Sequence, residues 1–392
     1  MAEASALVPR LFDTTAGAHA CVARPSAVYL TLHLTTLPAR AGSSSSHVLP
    51  AAPSNASCGC GASVAFLISG QLARFSYPIS FADLDDGSLR SLFDSPDECR
   101  PKVDVFAVLS VASGHRSVSN YWGSSQRLNT EPANETIVHI RRHFLSRGAR
   151  RVHVTLLNES TLDAWMVQLA ESCATRIKRK PGAPQNMSEW RAAVHRIPNW
   201  ERRWLPHGRM FLMRHLVFME AAPAGYHWFV YMREDNRFLR PAASLTAFAR
   251  NHICSEGAKG RAVVAVDELC GFGGYSDKVY LASPRGAAEL FGTSFEQHAQ
   301  HMAAWVSPPL RNQSQRPVND PMQTEIFLRE LLDGAGVTVH QLPFHRTDVR
   351  VVADGKGGPV SSPEFCVESH YWSCASNHTG LTKCDVSQEA RR

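Results

Sequence analysis

The chain has 392 residues, 44% of them hydrophobic, which is enough apolar material for a sizeable core and excludes an intrinsically disordered protein. Its net charge of +6 comes from 41 basic and 35 acidic residues. Nucleic-acid binders concentrate basic residues on one face, whereas this sequence has no basic block beyond residues 176–180, so the charge does not favour nucleic-acid binding.

The first 62 residues are predicted to be a low-complexity stem or linker, because residues 38–62 are rich in Ala, Ser, Pro and Gly. No signal peptide and no apolar run long enough to cross a bilayer is recognisable there. Two explanations stay open: the protein is cytoplasmic, or its true start lies upstream of Met1 and carries a membrane anchor. We favour the second as a hypothesis.

Residues 63–350 are predicted to form one domain in which strands and helices alternate, which is typical of an open α/β sheet. Apolar runs predict strands at 64–68, 103–111, 151–157, 226–232 and 262–266, with an edge strand at 338–342. Helical periodicity predicts helices at 135–146, 208–222, 283–291 and 321–335. We expect residues 172–204 to be a long excursion over the sheet and 351–392 to be a Cys-containing tail.

Sequons and cysteines favour the secretory pathway over the cytosol. Ten cysteines are an even count, and three of them lie in the carboxyl-terminal tail, which suits disulfides in an oxidising lumen. Six Asn-X-Ser/Thr sequons, the acceptor sequences for N-glycosylation, occur at Asn55, Asn134, Asn158, Asn186, Asn312 and Asn377. The Golgi lumen is the compartment we expect.

The apolar strand that begins near Tyr226 ends abruptly in four polar residues, Arg233, Glu234, Asp235 and Asn236. Carboxylates at a strand end can hold a divalent cation such as Mn²⁺ or Mg²⁺, which keeps open positions for substrate phosphates. Asp235 is the stronger candidate ligand and Asn236 a neutral helper, while Arg233 suits a bidentate contact with a diphosphate. A solvated strand end with a local ion pair is the simpler alternative.

Two glycine turns support a site at this edge of the sheet. Gly70, Gln71 and Arg74 directly follow the first strand, where an amide and an arginine can meet a nucleotide. A second loop, 271–278, carries three glycines and ends in Asp277 and Lys278.

The sequence motifs of several other enzyme classes are missing. The sequence has no GxGxxG or P-loop motif, no HExxH, no CxxC pair and no GxSxG, which counts against dehydrogenases, kinases, zinc hydrolases and serine hydrolases. His298 and His301 share helical spacing, but two histidines without a third ligand are more typical of a surface helix.

Taken as a set, these motifs resemble a GT-A glycosyltransferase of the nucleotide-sugar type, most of all a poorly described eukaryotic and algal group. The matching elements are the Gly70-Gln71-Leu72-Ala73-Arg74 turn, the strand ending in Arg233-Glu234-Asp235, the Ser276-Asp277-Lys278 motif, and the late Thr324-Glu325. The resemblance implies a single GT-A-like, Rossmann-like open mixed sheet flanked by helices, and transfer of a sugar from a nucleotide-diphosphate donor to a hydroxyl of a glycan or glycoprotein.

The resemblance also assigns roles to residues. Gly70, Gln71, Arg74, Arg233 and Lys278 would contact the donor, with Asp235 and Glu234 as metal and diphosphate carboxylates. Asp277 or Glu325 would face the acceptor. If the transfer inverts the anomeric configuration, Asp277 is the first candidate for the catalytic base and Glu325 the second, whereas a retaining transfer requires no such base. Adjacent acids replace the usual alternating D-x-D here, and adjacent strand residues point to opposite faces, so metal dependence stays open.

Two interpretations from other classes stay open. One is a catalytically inactive nucleotide- or carbohydrate-binding lumenal protein of the same fold. The other is an extracellular, disulfide-stabilised interaction domain, which predicts that Asp235 and Asp277 lie far apart.

Overall fold

A computed structural model describes the chain over residues 61–72, 75, 90–93, 100–111, 132–166, 200–234, 236–238, 245–267, 274–275, 277–305, 324–342 and 346–348. Most of the predicted stem and the whole predicted tail lie outside these ranges, so the predicted domain boundaries stay predictions. No helix within the described residues is both long and apolar enough to cross a membrane.

Within the described residues, seven of nine strands form one mixed sheet. The strands are β1 (Ser63–Gln71), β2 (Lys102–Val111), β3 (Arg151–Asn158), β4 (Trp228–Arg233), β5 (Asn236–Phe238), β6 (Val263–Asp267), β7 (Val279–Ala282), β8 (Thr338–Leu342) and β9 (Arg346–Asp348). The sheet order is β3-β2-β1-β4-β7-β6-β8, and β5 pairs with β9 separately. Within the sheet β7 is antiparallel to both neighbours, β4 and β6, while the other pairs are parallel.

The helices are α1 (Arg90–Phe93), α2 (Ala133–Ser146), α3 (Trp200–Ala221), α4 (Leu245–Phe248), α5 (Pro284–Ala287), α6 (Ser294–Trp305) and α7 (Thr324–Gly334). Residues 159–166 are also helical. The α4 helix continues as the π-helical Ala249–Cys254 and the short Ser255–Gly257, and α5 continues as the π-helical Ala288–Gly292.

Helices cover both faces of the sheet, so alternate residues of its central strand enter two different cores. Phe229 and Tyr231 of β4 pack on the face covered by α3, α5, α6 and α7. Trp228 and Val230 pack on the opposite face, against α1, α2 and the helical segment 245–254. Burial on both faces explains why the central strands are continuous apolar runs rather than alternating ones.

The structure confirms the predicted open α/β sheet, including β8 at its edge. One predicted helix begins elsewhere, and one strand was not predicted. The α3 helix begins at Trp200 rather than 208 and runs through Pro206, a residue that normally ends a helix and so hid its first two turns. The four-residue β7 was not predicted, because so short an apolar run gives no usable periodicity.

Candidate functional site

The sheet topology creates a crevice between β1 and β4. From β1 the chain moves outward to β2 and β3, then crosses back to form β4 on the other side of β1. At such a switch point the loops leave the two strands in opposite directions, and open α/β sheets bind ligands there, outside the carboxyl ends of the strands. Ser69 is in register with Arg233, so the turns that follow these two strands lie side by side.

Glu234 joins the two turns. Its Oε1 accepts a hydrogen bond from the Gln71 backbone N–H at 3.0 Å, and only 2% of the residue is exposed. The carboxylate lies against Gly70 so closely that a Cβ there would overlap it. A side chain at position 70 would have to displace this carboxylate, and the positive φ of Gly70 also favours glycine there. Glu234 thus packs against the first turn and hydrogen-bonds to it.

Asp277 reaches the same edge from the opposite direction. Because β7 is antiparallel to β4, the residues that precede β7 lie beside the end of β4, and the Arg233 N–H donates to the Lys278 carbonyl at 3.0 Å. Asp277 is 4% exposed. Its Oδ2 lies 3.4 Å from Arg233 Nη1, and its Oδ1 lies 3.5 Å from Lys278 Nζ. Arg233 and Lys278, which the resemblance assigned to the donor, thus flank Asp277, which it assigned to the acceptor.

Arg214 of α3 is a third cation beside Asp277, and sequence reasoning missed it. Its side chain is 1% exposed, and its Nη2 donates to the Asp277 carbonyl and lies 3.6 Å from Asp277 Oδ2. Burial alone lowers the pKa of Arg214, but Tyr231, Tyr280 and Asp277 more than offset this and raise it, so the guanidinium stays charged. An arginine inside the apolar run 210–219 was the available sign of a buried functional charge.

Glu325 completes the cluster from the first turn of α7. Burial, and then the negative charge of Asp277, raise the pKa of Glu325. Its Oε2 accepts from Thr324 Oγ1 at 3.0 Å, and its backbone carbonyl accepts from the Tyr275 N–H at 2.9 Å. A Cβ at Gly274 would overlap the Glu325 backbone, so this glycine lets the loop before Asp277 pack directly on the helix.

A second polar network, also missed by sequence reasoning, lies at the ends of β1, β2 and β3. Gln71 Nε2 donates to Glu159 Oε1 at 3.0 Å, and Ser110 Oγ donates to the same oxygen at 3.4 Å. Arg209 of α3 holds the other Glu159 oxygen at 3.2 Å and also pairs with Asp163. The Gln71 side chain is therefore oriented by a carboxylate that directly follows β3.

The structure thus brings together most of the predicted site residues. They are Gly70, Gln71, Arg233, Glu234, Asp277, Lys278 and Glu325. Arg74 and Asp235 lie outside the described residues. His298 is buried between Phe211 and Phe327, in keeping with a packing role.

The described residues do not by themselves form a metal site. A divalent cation needs several oxygen ligands, and Glu234 turns its carboxylate to the backbone of the first turn. In the part of the chain that the structure covers, no three His, Cys, Asp or Glu side chains converge as a ligand set. The predicted Mn²⁺ or Mg²⁺ site stays a prediction that depends on Asp235.

No protein family and no curated protein matches the chain. Among solved structures, it resembles mouse xyloside xylosyltransferase 1 in its apo form at 10% identity and a TM-score of 0.33, over 71% of this chain and 84% of that one. It also resembles a putative glucose-1-phosphate thymidylyltransferase from Bacillus anthracis in complex with a sucrose, at 9% identity and a TM-score of 0.26, over 73% and 89% of the two chains. A third structure, described only as a transferase, matches at 10% identity and a TM-score of 0.29, over 71% of this chain and 86% of that one. Function therefore has to be argued from the residues of the site.

Proposed function

We propose that this protein is a glycosyltransferase that moves a sugar from a nucleotide-diphosphate donor to a hydroxyl of a glycan or glycoprotein. The observation that carries the proposal is the grouping of Arg233 and Lys278 with Asp277 and Glu325 at the switch point of an α/β sheet. Cations suited to a diphosphate stand there beside carboxylates suited to proton transfer.

Donor binding is assigned to the positive charge of the cluster. Arg214, Arg233 and Lys278 lie within 3.6 Å of the Asp277 carboxylate, which places three cations at the crevice. A departing diphosphate is stabilised by such fixed charges in a site that excludes water. Arg233 and Lys278 keep 14% and 8% of their side chains exposed and would make the contacts, whereas Arg214 is too deeply buried to touch a ligand.

Proton transfer is assigned to Glu325 rather than to Asp277. In a transfer that inverts the anomeric carbon, the acceptor oxygen attacks that carbon, the carbon–oxygen bond to the diphosphate breaks, and the acceptor proton passes to a base. The diphosphate leaves with the bonding electrons. A base works best when its pKa lies near the working pH. Asp277 is held by three cations, while burial and Asp277 itself raise the pKa of Glu325.

A metal, if bound, would supply additional positive charge to the leaving diphosphate. Asp235 is the residue we would expect to hold it. Glu234 acts instead on the turn after β1, where it fixes the backbone of Gln71.

We also propose that the protein works in the secretory pathway. Two sequon asparagines, Asn134 and Asn158, are exposed, as a glycan would require. Cys254 is disulfide-bonded, which suits an oxidising lumen such as that of the Golgi.

The test is a screen of nucleoside-diphosphate sugars for release of the nucleoside diphosphate, with and without Mn²⁺. We expect release from at least one donor. Thermal stabilisation by a nucleoside diphosphate without any release would replace the proposal by a binding protein of the same fold. If no donor is hydrolysed and no nucleoside diphosphate stabilises the protein, both the glycosyltransferase and the binding-protein interpretations are contradicted.

A further inference from the structure

Arg214 makes two different contacts with Asp277. The Nη2 atom donates to the Asp277 backbone carbonyl and also lies 3.6 Å from the carboxylate. One nitrogen thus holds both the main chain and the side chain of Asp277. The residue lies on α3, a helix of 22 residues.

A purely stabilising role explains Arg214 poorly. A buried charge must give up its hydration at a cost of several kcal/mol, and an apolar side chain of similar volume often stabilises a core as well or better. The guanidinium lies 5.1–5.5 Å from the ring centroids of Phe211, Tyr231 and Tyr280, a cage that would accept a methionine. Its Nη1 is buried and has no hydrogen-bond partner among the residues that the structure describes.

Neutralising the Asp277 carboxylate does not require Arg214 either. Arg233 and Lys278 already lie 3.4 Å and 3.5 Å from the Asp277 carboxylate. What Arg214 adds is a fixed position for the carboxylate, since neither of those side chains is as fully enclosed.

The same guanidinium connects Asp277 to the turn after β1. Its Nε donates to Tyr231 Oη at 3.1 Å, and this hydroxyl lies 2.9 Å from Ser69 Oγ, directly before Gly70. The contacts of this one buried side chain thus link three strands that border the crevice, β1, β4 and β7.

We propose that Arg214 is a positioning residue for sugar transfer. It holds Asp277, and through Asp277 the cations Arg233 and Lys278, in the arrangement that stabilises the leaving diphosphate, without touching the substrate. The proposal rests on the glycosyltransferase function proposed above.

The test compares Arg214→Met and Arg214→Lys with the wild type, using the donor that the wild type turns over fastest. For Arg214→Met we expect kcat to fall at least about tenfold, because small displacements of catalytic groups have large effects on rate, while the donor KM changes less than about threefold. Arg214→Lys keeps the positive charge but not the forked guanidinium, so its kcat should lie between those of the wild type and Arg214→Met. Arg150→Met, which removes a cation paired with Asp104 of β2, is the control and should keep wild-type kcat.

The outcomes separate the two proposals. A wild-type protein that turns over no donor contradicts the proposed function, and the role of Arg214 falls with it. An active wild type together with wild-type kcat in Arg214→Met overturns only the role of Arg214, as does a rise in KM at constant kcat. If Arg214→Met does not fold, Arg214→Lys decides: a reduced kcat at unchanged KM supports the proposal, and a wild-type kcat overturns it.

Discussion

The carboxylate of Glu234 occupies the space that a side chain at position 70 would need, and it accepts the backbone N–H of the next residue. Gly70 and Glu234 therefore fit together as a single joint between the ends of β1 and β4. The joint sets the shape of the crevice in which the donor is proposed to bind.

Gly70→Ala should damage both stability and turnover. The new methyl group must displace a buried carboxylate, and we expect a loss of about 2–3 kcal/mol in the free energy of unfolding, together with a lower rate of donor turnover. Gly334→Ala is the matched control, because a Cβ there would meet nothing within 4 Å. Urea denaturation and donor turnover of both variants check this. Equal stability of the two variants would show that the joint is not tight.

The pH dependence of kcat should identify the base. Burial and the charge of Asp277 raise the pKa of Glu325, so kcat should fall on the acid side at a pH above the ordinary range of a glutamate. Glu325→Gln should abolish transfer while the donor still binds. Asp277→Asn removes one of the two causes of the raised pKa, so the residual activity of this variant should fall at a lower pH. An acid limb that stays in place in Asp277→Asn would argue against Glu325 as the base.

Glu220 of α3 makes stability depend on pH in a predictable direction. Burial raises its pKa from 4.5 to about 7, although Thr155 Oγ1 donates to its Oε1 at 2.8 Å and lowers it in part. A raised carboxyl pKa gives stability that is complete below pH 4.5 and is lost as pH rises through about 7.

Glu220→Gln, which mimics the protonated form, should thus have the same free energy of unfolding as the wild type near pH 4.5. By pH 8 it should be more stable by up to about 3 kcal/mol. Thermal melts across this range check the prediction. Glu256→Gln is the control, because Lys259 and Arg261 lower the pKa of that carboxyl and no gain with pH is expected.

Asp104 should make stability depend on pH in the opposite direction to Glu220. It is fully buried and accepts hydrogen bonds from Arg150, Arg151 and Tyr226. Burial alone would raise its pKa, but the three donors hold the pKa well below the usual range. The stability it provides is present above the ordinary aspartate pKa and is lost as pH falls.

Asp104→Asn should therefore lower the free energy of unfolding at pH 7 by about 2 kcal/mol, a modest value because both arginines are about half exposed. The difference from the wild type should shrink below pH 4. Urea denaturation at several pH values measures it, and a constant difference would contradict the assignment.

The sequence predicted the strands that carry the site but not the contacts that shape it. β1 and β4 were predictable because burial on both faces demands an apolar run, and the polar residues that end those runs mark the carboxyl edge. The antiparallel β7 was not predictable from four residues, although it is what brings Asp277 beside Arg233. Arg214 and Glu159 were missed for a related reason: their contacts are with residues 63 and 88 positions away, and no local pattern encodes such pairings.

The most direct test of a donor site at this edge of the sheet is the rate of nucleoside-diphosphate release by Lys278→Met. Lys278 lies at the candidate site, whereas Lys259→Met removes a lysine that pairs with Glu256 on the surface and serves as the control. We predict a loss of at least about tenfold for Lys278→Met, since a charge that stabilises a leaving group contributes several kcal/mol, and wild-type release for Lys259→Met. Wild-type release by Lys278→Met would contradict the account.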